Sequence, residues 1–256
     1  MKYTLAADLI DATMRWTPLL DGNRSGDPPD AINFAGHKGF REVGDHTVSL
    51  LRSHAGLGEG DRVLDIGSAI ARNALALYRA LGDRITYRGF DIVPYGIRWS
   101  EKRFKSIPGD YGFAHADIAN TFYNPRGRTA AEDFTFPYAD SSFDLSVATS
   151  VYTHMRSPAV RRYLRETARV TAPGGRAYFT AFLQSGAGGG STFSFAHSGP
   201  GDWVESPHEP EMAVAHSEAT LRSVLSDAGA TSVEVHPGTW RGGDGLDFQD
   251  ILIARF

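Results

Sequence analysis

The stretch Arg62–Arg72, R-V-L-D-I-G-S-A-I-A-R, constrains this chain more than any other. A short apolar run, Val63-Leu64, leads to an acid, Asp65, and then to Ile66 and Gly67. Ala71, Leu75, Leu77, Tyr78 and Leu81 follow at helical spacing. The pattern is a buried strand, a tight turn and a helix, the first half of a βαβ unit. Gly67 falls where the chain must reverse, and glycine alone enters positive φ without penalty. The helix after such a turn aims free N–H groups at the strand's carboxyl end, a natural place for a polar ligand.

Length and charge narrow the class. The 256 residues suffice for one large α/β domain with a full core. A net charge of −4 argues against nucleic-acid binding, which needs basic stripes to release counterions. The absence of cysteine excludes disulfides, a thiolate zinc site and a cysteine nucleophile. No apolar run approaches the ~18–20 residues of a membrane helix. No signal-peptide pattern opens the sequence, so no membrane partner is expected and the expected address is the cytoplasm.

Residues 1–57 read as an N-terminal helical cap and 58–256 as the main domain. Leu5, Leu9, Ile10 and Met14 predict a helix over 3–16, and the segment 21–30 a loop. A second helix is predicted over 41–54 with Val43, Thr47, Val48, Leu50 and Leu51 inward. These helices either cover the core or close over a ligand; the second role would bring Phe34, His37 and Phe40 to it. Residues 85–90 form the next predicted strand, ending in Asp91, and 111–115 a third, followed by Asp117. Asp91 is placed to accept a ribose diol or, with Pro94 close behind, to cap a helix. Asp117 is placed to meet the exocyclic amine of an adenine. Three strand ends thus carry Asp65, Asp91 and Asp117 on one edge of the sheet.

The motifs V-L-D-I-G-S (63–68), Y-R-G-F-D-I (87–92), H-A-D-I (115–118) and F-P-Y-A-D-S-S-F-D (136–144) come in that order. With T-S-V-Y-T-H-M (149–155) and R-V-T-A-P-G-G-R (169–176), they resemble class I S-adenosylmethionine-dependent methyltransferases. Within that superfamily the chain is most similar to the small-molecule, methyltransferase type 11-like branch, which shares the Y-N-P-x-G insertion at 123–127. The resemblance implies a Rossmann-like, doubly wound sheet of seven mostly parallel strands, the last reversed, with a lid loop. It implies S-adenosylmethionine as donor, yielding S-adenosylhomocysteine. The donor contacts it implies are Asp65, Gly67, Ser68, Ala69 and Arg72, then Asp91-Ile92, Asp117-Ile118 and Thr149 at the following strand tips. One departure stands out: the family pattern G-x-G-x-G is Gly67-Ser68-Ala69-Ile70-Ala71 here. A methyl at the middle position would crowd a donor, which keeps open a same-scaffold enzyme that no longer methylates (a cyclase or isomerase) and a non-catalytic binding protein.

The chemistry is expected beyond strand 143–148, where Tyr152, Thr153 and His154 project toward a methyl acceptor. His154 is the candidate general base, with Tyr152 beside it; the alternative for His154 is a cap on the helix starting near Ser157-Pro158. Residues 185–213 read as a lid hinged on S-G-A-G-G-G-S (185–191). Phe40, Tyr95, Tyr123, Phe195, Trp203 and Trp240 are expected acceptor contacts and suit a partly apolar or ring-bearing small molecule, a sugar unit or secondary metabolite. His197, His208 and His216 lack metal-ligand spacing, so no metal is expected. No heptad or exposed apolar strand marks a subunit interface.

Overall fold

The computed structural model describes residues 26–35, 39–184 and 192–256. The expected helix over 3–16, His37 and the glycine-rich run 185–191 lie outside them.

Helix α1 (Phe40–Ala55) runs between two left-handed glycines, Gly39 and Gly56, and buries Thr47, Val48, Leu50 and Leu51. Val43, expected inward, is instead 40% exposed, because the first turn of the helix overhangs a cavity and not the core. Strand β1 (Arg62–Ile66), helix α2 (Arg72–Leu81), strand β2 (Thr86–Asp91), helix α3 (Pro94–Phe104) and strand β3 (Asp110–His115) then alternate. Strand β4 (Phe143–Ala148), helix α4 (Ser157–Val170) and strand β5 (Thr171–Gln184) continue the pattern on the other side of β1. After helix α5 (Glu218–Asp227), β9 (Ser232–His236) and β10 (Asp250–Arg255) complete a seven-stranded sheet of order β3-β2-β1-β4-β5-β10-β9. Only β10 is reversed, running antiparallel to both β5 and β9. β1 and β4 are buried over nearly their whole length, as expected of parallel strands covered on both faces by helices.

The sheet does not stop at seven strands. β5 outruns β4, and its last three residues pair with β8 (Val214–Ser217). β8 pairs in turn with β7 (Asp202–Val204), and β7 with β6 (Ala196–Gly199). The backbone groups of the overhang need partners, and β8, just past the expected lid, supplies them, with β7 and β6 of the lid extending the ladder. Among the described residues ten strands therefore form one sheet, with β6 and β7 drawn from the expected lid. Phe182, Ala215 and Trp240 bury a small core of their own there, with Phe193, Phe195 and Trp203 against it.

The insertion is tied to the main domain by Asp202. Helix α4 has no side-chain cap of its own. The Asp202 carboxylate fills that place, accepting from Ser157 N (2.9 Å) and Arg156 Nε (2.8 Å), and also from the Ser157 hydroxyl. Burial alone would push this carboxyl up; hydrogen bonds from His216, Ser157 and Arg156 outweigh it and hold the group well below the usual carboxylate range. A carboxyl depressed on folding contributes stability above its unfolded pKa of about 3.9 and loses it as pH falls. Asp202→Ala should therefore cost about 2–4 kcal/mol in urea unfolding at pH 7. The gap to wild type should narrow below about pH 4; a gap independent of pH would rule out an ionised Asp202 as the tie.

Candidate functional site

A cavity of about 880 Å³ opens over the carboxyl ends of β1, β2 and β4. That is toward the upper end of the ~300–1,000 Å³ typical of ligand pockets and leaves room for two molecules side by side.

One end is built on the turn after β1. Gly67 N and Ser68 N both donate to the Phe90 carbonyl at 2.9 Å, so the turn hangs from the tip of β2. Gly67 has φ +73°, and a Cβ there would lie 2.4 Å from Val151 Cγ2. Ala69 (φ 50°) and Ala71 (φ 61°) hold the left-handed conformation that glycine would adopt freely. Ala69 N donates to Asp91 Oδ2 at 2.8 Å, and Val93 N to Asp91 Oδ1 at 2.8 Å. Asp91 lines the cavity. Burial pushes its carboxyl up to about 6, against the opposing pull of those backbone N–H groups.

Beneath the turn, Asp65 is fully buried and is not part of the lining. It accepts from Tyr87 Oη (2.7 Å) and Asn73 Nδ2 (3.2 Å), and Asn73 Nδ2 also reaches Thr149 Oγ1 at 3.1 Å. Asp65 thus braces β1, β2, α2 and the end of β4 from below, its carboxyl raised to about 6 by burial. Arg72 lines the wall, donates to the Ala35 carbonyl, and faces Asp65 and Asp247 electrostatically.

The other end lies beyond β4. Ser150 is also left-handed (φ 57°), with its N–H on Thr180 Oγ1 at 2.7 Å. A non-glycine residue held in this region beside a cavity is a mark of a working site. His154 sits in the one-turn segment Tyr152–His154 and lines the cavity. Its Nδ1 lies 3.0 Å from the Glu211 carbonyl. A carbonyl only accepts, so Nδ1 carries the ring proton and Nε2 holds the lone pair. Burial lowers the pKa of His154, so the ring is neutral at pH 7.

Of the residues singled out from sequence, Phe34, Gly67, Ser68, Ala69, Arg72, Asp91, Ile92, Ile118, Thr149, Tyr123 and His154 share this cavity. The others stand elsewhere. Asp117 pairs with Arg128 at 2.5 Å, because the insertion after β3 folds back and brings that arginine to it. Tyr152 is fully buried against Phe179, and burial drives its phenol far above any useful range for proton transfer. Phe40 packs on the core and Tyr95 is buried behind Phe34, which it meets edge-on at 5.3 Å. Phe195 and Trp203 belong to the small core of the insertion. Trp240 is buried there too, its indole N–H on Asp250 at 2.8 Å. Sequence reasoning missed Asn73, Asn120, Arg156, Glu211 and Met212, and the wall Asp247–Gln249. The only signal for the last was F-Q-D ahead of the final strand.

A family model described as "Methyltransferase domain" matches residues 64–179, the span that builds the turn, the Asp91 tip and β4. Residues 64–179 thus match a methyltransferase domain, and the chain resembles the class I S-adenosylmethionine-dependent methyltransferases. The methyltransferase GfsG of Streptomyces halstedii is 29% identical over 135 residues, 53% of this chain and 42% of that protein, so the match spans less than half of the relative's length. An S-adenosylmethionine-dependent methyltransferase of Methanosarcina mazei superposes with a TM-score of 0.51 at 22% identity, covering 79% of this chain and 95% of that one. The [4+2]-cyclase SpnF superposes with a TM-score of 0.55 at 20% identity, covering 82% and 80%. These structures share the methyltransferase fold with this chain. Among the described residues no helix is long and apolar enough to cross a membrane, and no three His, Asp or Glu side chains gather as metal ligands would.

S-adenosylmethionine is the donor of this family, and the residues present fit it. The two alanines keep the backbone course of the missing glycines, and the Asp91 carboxylate opens to the cavity beside them. The left-handed strain on alanine is ~1–2 kcal/mol. Ala69→Gly should leave stability unchanged or raise it by up to about 1 kcal/mol, since relief of strain is partly offset by unfolded-chain entropy. Ala69→Val should cost about 1–2 kcal/mol, lowering the melting temperature by several degrees. A valine variant as stable as wild type would contradict the conformation assigned to residue 69.

Proposed function

We propose that the chain transfers a methyl group from S-adenosylmethionine to a hydroxyl of a small, largely apolar molecule, with His154 as general base. The observation that carries this reading is the fixed tautomer of His154: Nδ1–H is committed to the Glu211 carbonyl, leaving an unprotonated Nε2 on a ring that lines the cavity. When bound, the donor supplies an electrophilic methyl on a sulfonium and leaves as the neutral thioether. The acceptor oxygen forms the new bond to that carbon, and Nε2 takes the hydroxyl proton. Asp91 is the residue we assign to the ribose diol, on its position at the tip of β2. Ile92 and Ile118 are assigned to the adenine faces. Asp65 acts only through Asn73 and Thr149.

The acceptor class follows from the walls. Tyr123, Met155, Met212 and Phe248 line the cavity with apolar surface. The three large apolar side chains most exposed among the described residues, Val43, Leu246 and Phe248, gather at one mouth: Val43 and Phe248 line it, and His46 Nε2 meets the Leu246 carbonyl at 3.1 Å. Such a rim favours an apolar ligand over a water-covered surface. Arg156 is bound by Asp202, and Arg72 faces Asp65 and Asp247, which disfavours an anionic acceptor. A hydroxylated secondary metabolite fits these walls. The left-handed course that Ala69 and Ala71 keep supports methyl transfer over the reading of a scaffold that has given it up.

Calorimetric titration with S-adenosylmethionine and S-adenosylhomocysteine tests the donor assignment, and its pH dependence tests Asp91. A carboxyl raised to about 6 accepts the diol only when ionised. Affinity should be level above about pH 7 and roughly tenfold weaker at pH 5. In Asp91→Asn the affinity should be weak and independent of pH; a variant that still binds like wild type would free Asp91 from the ribose. With an accepted alcohol in hand, His154→Ala should lower kcat by roughly 10²–10⁴ while donor affinity holds. A wild-type rate would discard the base.

A further inference from the structure

We propose that Glu211 is the positioning residue for His154, acting by clasping two separate loops around its ring; the proposal rests on the reading of His154 as base. Glu211 lies in the one-turn segment Pro210–Met212, none of whose residues is buried, so packing alone does not hold its backbone in place. Its carboxylate Oε2 accepts from Thr121 N at 2.6 Å and from Thr121 Oγ1 at 2.5 Å, across 90 residues of sequence. Its carbonyl, on the same residue, takes the His154 Nδ1 proton.

The loop that carries Thr121 grips His154 independently. Asn120 Nδ2 donates to the His154 carbonyl at 3.0 Å, while Asn120 Oδ1 accepts from Phe122 N and Tyr123 N at 3.1 and 2.8 Å. That turn carries the Tyr123 ring to the His154 imidazole, edge to face at 5.2 Å. The contacts close into a ring: His154 to Glu211, Glu211 to Thr121, Thr121 by the backbone to Asn120, and Asn120 back to His154. Within it the imidazole has one allowed neutral form. An acceptor-only carbonyl fixes the proton on Nδ1, and that carbonyl stays in reach because the carboxylate beside it is bound twice to Thr121. Removing the carboxylate leaves the Pro210–Met212 turn without its hold on the loop and frees the ring to take its proton on either nitrogen.

The test reads the tautomer directly, by nitrogen-15 NMR of the histidine-labelled full chain without acceptor. Wild type should show His154 as the Nδ1–H form alone. In Glu211→Ala the Nε2–H form should become at least equally populated, and in Thr121→Val, which removes only the hydroxyl donor, it should appear to a smaller extent. With acceptor, kcat of Glu211→Ala should fall about tenfold or more while donor affinity is unchanged. A single Nδ1–H form retained in both variants overturns the proposal. A shifted tautomer with wild-type kcat would support the hold of Glu211 on the ring and count against His154 as base.

Discussion

A single carbonyl, that of Phe90, carries the site. It accepts two consecutive N–H groups, from Gly67 and Ser68, and so fastens the turn after β1 to the tip of β2. The next residue's carboxylate, Asp91, then takes the N–H of Ala69 and that of Val93. Four donors are satisfied within two residues of one strand end, and the backbone there has no freedom left to choose another course. This is why two alanines can stand where glycine is easier: the hydrogen bonds over-determine a conformation that the side chains alone disfavour. Close packing reinforces it, since a Cβ on Gly96 of α3 would meet the Ala69 carbonyl at 2.8 Å.

Two further buried carboxylates do the same work for the loops that the sheet does not organise. Asp202 joins the inserted strands to the start of α4 and thereby holds Arg156 at the cavity wall. Asp250 gathers Leu183 N, Gly238 N, the Trp240 indole and Arg241 around the first residue of β10, and so sets the course of the wall formed by Asp247–Gln249. In each case a carboxyl group is accepted into the interior because several donors meet it there. The chemistry-bearing loops are therefore anchored by polar contacts, while the apolar layers hold the frame.

How much of this was legible in the sequence depends on how far each contact reaches. β1, β2 and β4 announce themselves as apolar runs ending in turn residues, and their bounds match to within a residue or so. The mostly parallel sheet with a reversed last strand is what the resemblance carried by these motifs implies, and the three inserted strands were not foreseen. Asp65, Asp91 and Asp117 look alike as strand-end acids, yet one lies beneath the floor, one in the wall and one on an exposed arginine. Their partners, Tyr87, Ala69 and Arg128, are 22, 22 and 11 residues away, and no local pattern assigns them. Aromatic residues misled for a related reason: Phe40, Tyr95 and Trp240 advertise burial but not which layer receives them. Nothing in its neighbourhood marks Glu211, and F-Q-D alone marks Gln249; their contacts reach residues 90 and 99 positions away.

The placement of β10 sets an order of events. β9 has one sheet neighbour, β10, and β10 lies between β9 and β5, so residues 232–236 find no place in the sheet until residues 250–255 exist. During synthesis, β1 to β5 can pair as they emerge, in sequence order outward from β1 and then β4. The anchor Asp250 comes later, and with it the wall at Asp247–Gln249 that faces Ser150 and Thr180. A growing chain thus has the turn after β1 and the Asp91 tip well before the wall at Asp247–Gln249 encloses the cavity. The half-made chain has the frame of β1 to β5 without the wall that encloses its cavity.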